Sequence, residues 1–180
     1  MRLEKLAIPA CVFFCVVVGH GQTDNFRKGN SSQPELRQPN FSKLKDRAEK
    51  GDLQAQLAIA DAYFIGRGPI RDYKAAAQWY AAAASQESAQ AEFMLGFLYE
   101  HGLGVDQNYA KAADRYRVAA LKGHVLAANN LGSLYQHGQG VRKDIDESMR
   151  WYRASAEAGN VTAQCNLASL YLGGGQVAHN

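Results

Sequence analysis

The chain has 180 residues, with 20 Lys and Arg against 17 Asp and Glu, which gives a net charge of +3 at pH 7. The small positive excess lies in segment 22–50, which holds seven basic and four acidic side chains, whereas the counts from residue 51 onward are 11 and 12. This balance is too weak to indicate nucleic acid or a membrane surface as a partner. The length suits one domain of stacked units.

Residues 1–21 have the pattern of a secretory signal peptide. Arg2 and Lys5 precede an apolar run at residues 6–18, and small residues stand before a cleavage site at Gln22. The apolar run is shorter than the roughly 20 residues that cross a bilayer. We therefore expect an exported protein, periplasmic or secreted, with no stable membrane span after cleavage. An uncleaved N-terminal anchor is the alternative.

Residues 22–40 have the composition of a flexible linker, rich in Asn, Ser, Gln, Gly and Pro and without a hydrophobic period. Residues 41–50 are different, because apolar and charged side chains share a short amphipathic segment. Displaced by 36 residues, Leu44 falls on Tyr80, a position in the second half of a repeated unit. We therefore predict an N-terminal capping half-repeat at 41–50, with a polar outer face.

A period of 36 residues organises the rest of the chain, and a fixed period of this length is typical of a repeat architecture. The recurring positions are Gly66, Gly102, Gly138 and Gly174; Gly68, Gly104 and Gly140; and Tyr63, Tyr99, Tyr135 and Tyr171. The period predicts full units at residues 51–86, 87–122 and 123–158. A partial fourth unit follows at residues 159–180.

Each unit is predicted to form two helices. In the second unit, Leu95 and Leu98 belong to one apolar stripe at helical spacing, and Gly102 stands where a left-handed C-terminal cap is needed. Asn108 then begins the second helix as a capping residue, and Asp72 and Asp144 stand at the equivalent positions. The pattern therefore predicts helix–turn–helix repeats.

Two features predict how the helices pack. Gly96 lies within the apolar stripe, where a glycine indicates that a neighbouring helix approaches closely. Bulky aromatic residues recur in the second helices, and we expect them to form the core rather than a cofactor site; they are Trp79, Tyr80, Tyr116, Trp151 and Tyr152.

The repeated pattern is A-E-x-x-L-G-x-L-Y-x-x-G-x-G-V-x-x-[DN]-x-x-K-A-x-x-x-Y-x-x-A-A, and it resembles the Sel-one-like repeat (SLR) family over residues 51–180. This family is related to the tetratricopeptide helical repeats. The resemblance implies an all-α fold, a right-handed α-solenoid of helix–turn–helix repeats that forms an α/α superhelix. It also implies a non-catalytic scaffold that binds another protein or an extended peptide.

By the same resemblance, the first helices line the concave side, and their outward-facing positions bind partners. The first unit contributes Gln54, Leu57, Asp61, Phe64 and Ile65; the second, Gln90, Phe93, Phe97, Glu100 and His101; the third, Asn129, Asn130, Ser133, Gln136 and His137; and the fourth, Cys165, Asn166 and Ser169. Phe64, Phe93 and Phe97 are expected to be apolar anchors. Asn130 and Asn166 either bond a peptide backbone or bond a neighbouring repeat.

The sequence indicates no cofactor and no metal. His101 and His137 recur at one position, but equivalent positions on adjacent helices lie about 8–10 Å apart, and no third ligand recurs with them. A histidine in the last turn also suits the C-terminal end of a helix. Cys165 is the only cysteine left after signal removal, and we expect a half-buried small apolar residue. His20, His124 and His179 form no group that indicates a site.

Three alternatives remain open. Some cysteine-rich secreted relatives of the family are described as β-lactam-hydrolysing or penicillin-binding, but their paired cysteines are absent here. The chain is alternatively a truncated copy of a longer scaffold. Finally, the helix predicted at 160–172 carries an apolar stripe, which either docks another copy of the chain or is covered by its own tail.

Overall fold

The computed structural model describes residues 38–67 and 70–175, and within these ranges the chain is helical, with no strand. The eight helices are α1 (Gln38–Glu49), α2 (Leu53–Ile65), α3 (Tyr73–Ala84), α4 (Ala89–His101), α5 (Tyr109–Leu121), α6 (Val125–His137), α7 (Ile145–Glu157) and α8 (Val161–Gly175). The predicted signal peptide, most of the predicted linker and Gly68 lie outside the described residues.

Each helix packs mainly on the helices before and after it in the chain. The hairpins α2–α3, α4–α5 and α6–α7 are the three predicted full units, and α8 is the first helix of the fourth. The result is a helical solenoid, as the repeat pattern predicts, because each hairpin leaves an apolar face that only the next hairpin covers.

The caps follow from the side chains that precede each helix. Asp72, Asn108 and Asp144 begin α3, α5 and α7, and each accepts a backbone N–H three residues later at 2.9–3.0 Å, which confirms the prediction. The first helices are capped in the same way, by Asp52 at α2 and Ser88 at α4.

The loop glycines have two separate roles. Gly66, Gly102 and Gly138 end α2, α4 and α6 in the left-handed conformation, with φ of 65–77°, as predicted. Gly104 and Gly140 also have positive φ, and an added Cβ would lie 2.1–2.5 Å from the backbone at the start of the preceding unit's second helix. These glycines therefore let one unit approach the backbone of the unit before it.

Helix α1 begins earlier than the sequence predicts. It starts at Gln38, inside the segment predicted to be linker, and Pro39 is its second residue. Proline is tolerated there because the first turn of a helix has no partner for its backbone N–H groups. Phe41 and Leu44 are buried against α2, and the charged side chains of α1 remain exposed.

The tyrosines of the second helices form the core, as predicted. Tyr80, Tyr116 and Tyr152 are at most 1% exposed. A Cβ added at Gly96 would lie 2.6 Å from the Tyr116 ring, and one added at Gly132 would lie 2.8 Å from the Tyr152 ring. Glycine in the middle of each first helix therefore makes room for the ring of the paired helix, which confirms the close approach predicted at Gly96.

The tyrosines near the C-terminal ends of the first helices vary in burial along the solenoid. Tyr63, Tyr99 and Tyr135 are half-buried against the core. Tyr171, the fourth in the series, is 53% exposed and accepts a hydrogen bond from Arg153 Nη2 at 2.6 Å. Helix α8 extends to Gly175, so Gly174 lies within it and does not follow its end.

Candidate functional site

An aromatic row crosses the first two units, from the start of α3 across α2 to α4. The Phe64 and Phe97 rings meet edge to face with centroids 6.0 Å apart, Tyr73 lies 5.5 Å from Phe64, and His101 stacks on Phe97 at 4.2 Å. Phe64 and Phe97 are half-buried and His101 is exposed. The row (Tyr73, Phe64, Phe97 and His101) is therefore a surface with partly accessible rings, and two of the three predicted anchors lie in it.

Polar acceptors lie on the same face and hold the buried tyrosines. Tyr80 Oη donates to Asp61 Oδ1 at 2.5 Å, and Tyr116 Oη donates to Glu100 Oε2 at 2.5 Å. In the third unit, Tyr152 Oη donates to a neutral acceptor, Gln136 Oε1, at 2.8 Å. One side chain of each first helix thus fixes the tyrosine of its partner helix.

Burial favours the neutral form of both the tyrosine phenols and the Asp61 carboxyl. It raises the pKa of Tyr80 and Tyr116, and the neighbouring carboxylate raises each further, whereas the pKa of Tyr152 rises to about 12. The phenols are therefore neutral donors at any physiological pH. Burial also raises the pKa of Asp61, and the hydrogen bond from Tyr80 only partly opposes this effect.

Phe93 does not have the open position that the sequence predicts. It is only 5% exposed, its ring stacks on His124 at 4.3 Å, and it packs on Tyr116 at 5.8 Å. The prediction of an outward-facing anchor at Phe93 is therefore wrong, because the next unit covers it. Leu57, at the equivalent position, is half-buried against the core.

The asparagines of the third and fourth units bond one another. Asn166 Nδ2 donates to Asn129 Oδ1 at 3.1 Å, and Asn129 Nδ2 donates to Asn130 Oδ1 at 3.3 Å. Asn129 is 5% exposed. Of the two roles open to Asn166, the structure shows the bond to the neighbouring repeat.

The remaining predicted positions differ in exposure. Gln90 and His137 are exposed, and Ser133 and Gln136 are half-buried. Beyond these, Gln54 and Ser169 are exposed, and Ile65 and Cys165 are half-buried.

The two recurring histidines bond the ends of their own helices. His101 Nδ1 lies 3.0 Å from the carbonyl oxygen of Phe97, and His137 Nδ1 lies 2.8 Å from that of Ser133. In the described part of the chain, no three His, Cys, Asp or Glu side chains are grouped so that they would hold a metal ion.

His124, for which the sequence predicts no site, is the N-terminal cap of α6. Its Nδ1 accepts the backbone N–H of Ala127 at 3.3 Å, and its Nε2 lies 3.1 Å from Gln90 Oε1. The ring is therefore neutral, with the proton on Nε2, and burial lowers its pKa. The capping role of His124 could have been predicted from the repeat. The positions 36 residues before and after it are Ser88 and Asn160, both typical capping residues.

The lowered pKa of His124 should make the stability of the fold depend on pH. We expect the free energy of unfolding to fall as the pH drops below 6.5, because the ring of the unfolded chain takes up a proton more readily than the folded one. Above pH 6.5 the contribution of the neutral ring is complete, and it is lost as the pH falls toward the lowered pKa of the folded state. Urea unfolding at pH 7.5 and 5.5 measures the change.

The control for this pH dependence is His124→Asn, which keeps a capping oxygen and does not titrate. The variant should lose less stability than the parent between the two pH values, because the other histidines titrate equally in both proteins. Equal losses would mean that His124 is not the group responsible.

The repeat pattern also identifies the family. Residues 53–88, 89–124, 125–160 and 161–180 match the protein family described as Sel1 repeat. The chain belongs to the Sel1 repeat family. Successive matches begin 36 residues apart, two residues after the start of each predicted unit, and the match confirms the resemblance. Sel1 repeat proteins are typically scaffolds of protein–protein interaction, and the match indicates no catalytic family.

Solved structures of Sel1 repeat proteins share this fold. A protective antigen of uropathogenic Escherichia coli strains, which displays an SLR fold, is 41% identical, with a TM-score of 0.73 over 75% of the chain. A Sel1 repeat protein from Oxalobacter formigenes is 32% identical, with a TM-score of 0.65 over 72% of the chain and 98% of that protein. Cysteine rich protein B of Helicobacter pylori, 20% identical with a TM-score of 0.56 over 68% of the chain and 93% of that protein, shows the fold alone.

The chain is short beside several of its relatives. It spans 29% of the Escherichia coli antigen. HRD3A and HRD3B of Arabidopsis thaliana, components of an ERAD-associated E3 ubiquitin-protein ligase, are each 49% identical over 43 residues, which is 24% of this chain and 6–7% of those proteins. The similarity to them therefore concerns little more than one repeat.

None of the described helices of this Sel1 repeat chain is long and apolar enough to pass through a lipid bilayer.

Ser42 and Lys45 form a Ser-x-x-Lys sequence, the arrangement found in some β-lactam-reactive enzymes. Both side chains are exposed on α1, and Lys45 pairs with Glu49 at 3.7 Å.

Proposed function

We propose that this chain is an exported, non-catalytic scaffold that binds another protein or an extended peptide through the concave face of its first helices. The binding face consists of Asp61, Phe64, Phe97, Glu100, His101, Ser133, Gln136 and His137. Export rests on the signal-like sequence of residues 1–21.

The observation that supports the proposal is the aromatic row. Phe64 and Phe97 keep part of their rings accessible, and the carboxylates of Asp61 and Glu100 lie on the same two helices, one helical turn away. Partly exposed aromatic side chains within a polar surround are the usual anchors of protein interfaces. Family membership supports the same class of function.

The test removes one anchor. We expect Phe97→Ser to weaken partner capture about tenfold or more, because an anchor of this kind contributes about 2 kcal/mol or more to binding. The experiment cross-links the exported protein in its native cells, purifies it and compares the captured proteins by mass spectrometry. Leu121→Ser is the matched control, because Leu121 is 74% exposed at the end of α5 and outside the binding face.

Both variants must keep the helical circular dichroism and melting temperature of the parent. Partners retained by Phe97→Ser at the level of the parent would exclude the binding face. A variant at Phe93 is not suitable for this test, because truncation of its buried ring would open a cavity in the core and confuse folding with binding.

A second contact surface is supported by the exposed side chains of α8. Val161 is 67% exposed, Tyr171 53% and Leu172 61%. We propose that this face of the helix binds a second copy of the chain, since large apolar side chains exposed together favour association. Leu172→Ser should then shift the average mass measured by light scattering toward the monomer at high concentration. A parent that stays monomeric throughout would contradict self-association.

A further inference from the structure

We propose that the binding face holds an extended peptide by one basic side chain, preferably an arginine, between Asp61 and Glu100 and across the rings of Phe64 and Phe97. The inference rests on the proposed function and names the chemistry of the partner. It depends on how aromatic and acidic residues alternate between the first two units.

The four side chains form a checkerboard. Asp61 and Phe97 occupy the same position of successive units, and so do Phe64 and Glu100, because each pair is separated by 36 residues. On α2 and α4, the rings of Phe64 and Phe97 occupy one diagonal and touch, with centroids 6.0 Å apart. The two carboxylates occupy the other diagonal. They therefore flank the ring pair on opposite sides.

Both carboxylates lack a cation among the described residues. Each accepts a short hydrogen bond from a neutral phenol, Asp61 from Tyr80 and Glu100 from Tyr116, and neither forms a salt bridge there. Burial raises the pKa of Asp61, which shows that its negative charge is incompletely solvated. A cation from a partner would stabilise the charged form of Asp61, which burial disfavours.

Nearby arginines are engaged elsewhere. Arg115 pairs with Glu92 at 3.0 Å, on the buried side of α4. Arg71 donates to the carbonyl oxygen of Ile65 at 3.3 Å, and its guanidinium lies 6.0 Å from the ring of Tyr73. Neither arginine neutralises the two acids of the checkerboard.

Both the aliphatic stem and the charged head of an arginine or lysine side chain are complementary to this surface. Its aliphatic stem covers apolar surface while its charged head stays polar, so the stem fits the ring pair and the head reaches an acid. A guanidinium also stacks on aromatic faces and bonds carboxylates through two N–H groups, which favours arginine over lysine. The third unit cannot repeat the arrangement, because Ser133 and Gln136 replace the ring and the acid.

The experiment selects random dodecapeptides, displayed on phage, against the folded full chain. We expect the recovered peptides to be enriched about fivefold or more in one Arg or Lys beside apolar residues. A fluorescent synthetic copy of a selected peptide should bind the double variant Asp61→Asn, Glu100→Gln about tenfold more weakly than the parent, because a charge-assisted bond becomes a neutral one.

The double variant nearly preserves the shape of both side chains, and the third unit already has an amide in place of the carboxylate. Gln136 accepts the hydrogen bond of Tyr152 at 2.8 Å, so a glutamine at position 100 can accept that of Tyr116 in the same way. Circular dichroism and melting temperature should match the parent. The control for peptide binding is the double variant Asp106→Asn, Glu157→Gln, which removes two negative charges from exposed positions outside the binding face and should bind as the parent does.

The outcomes separate the two proposals. Peptides whose binding is lost in Phe97→Ser but which show no preference for Arg or Lys would overturn the basic-side-chain inference and leave the binding face in place. Equal affinity of the double variant and the parent would overturn the inference in the same way. If no selected peptide depends on Phe97, the inference and the proposed function both fail.

Discussion

Replacing Tyr116 by alanine should lower the free energy of unfolding by about 3–5 kcal/mol, the usual cost of removing a fully buried aromatic side chain. Tyr116 is 0% exposed, lies against Gly96 and packs on Phe93 at 5.8 Å. The truncation therefore opens a cavity between the two helices of the second unit. Urea unfolding followed by circular dichroism measures the loss.

The contact with Gly96 supplies the control for this prediction. Gly96→Ala should destabilise the parent, because the new Cβ would lie 2.6 Å from the Tyr116 ring. In the Tyr116→Ala background the same change should be neutral or should stabilise the helix by up to about 1 kcal/mol, the normal advantage of alanine over glycine in a helix. An identical cost of Gly96→Ala in both backgrounds would show that the tyrosine ring is not what requires glycine here.

The second large effect is expected at Gly104, where we predict that alanine costs more than at Gly123. Both glycines have positive φ, +71° and +84°, so each substitution costs about 1–2 kcal/mol for the left-handed backbone. At Gly104 the added Cβ would also lie 2.3 Å from the carbonyl carbon of Tyr73, whereas nothing lies within 4 Å of it at Gly123. The overlap should add about 1–3 kcal/mol, because two backbones must separate.

The comparison of Gly104→Ala with Gly123→Ala isolates the approach between units. Chemical unfolding gives the two free energies, and hydrogen exchange shows whether the amides at the start of α3 lose protection only in Gly104→Ala. Equal losses in the two variants would mean that the turn after α4 requires glycine for its conformation alone.

Local features were predicted well from the sequence, because each depends on a few neighbouring residues. Asp72 and Asn108 cap their helices, since a short polar side chain before a helix can bond the free N–H groups only of the residues next to it. Gly102 ends α4 in the left-handed conformation for an equally local reason. The burial of Tyr116 was also predictable, because the same position carries a tyrosine in every full unit.

The candidate site was predicted less completely. The sequence places Phe93 and Phe97 on one helix at a spacing of four, and both were expected to face outward. Only Phe97 keeps accessible surface, because the ring of His124 comes from the next unit and covers Phe93. A helical pattern shows which residues share a face but does not show how far the following unit extends over it.

The sequence by itself determined the period, the helix ends within the three full units and the tyrosine core, since these follow from residue type at positions 36 apart. Only the tertiary structure decided which side chains of the first helices remain accessible, that Gly104 meets the backbone of the preceding unit, and that Phe64 and Phe97 touch on one diagonal. The physical reason is that contacts between units depend on how one hairpin lies over the next, and the same repeated residues do not specify that arrangement until the units are stacked.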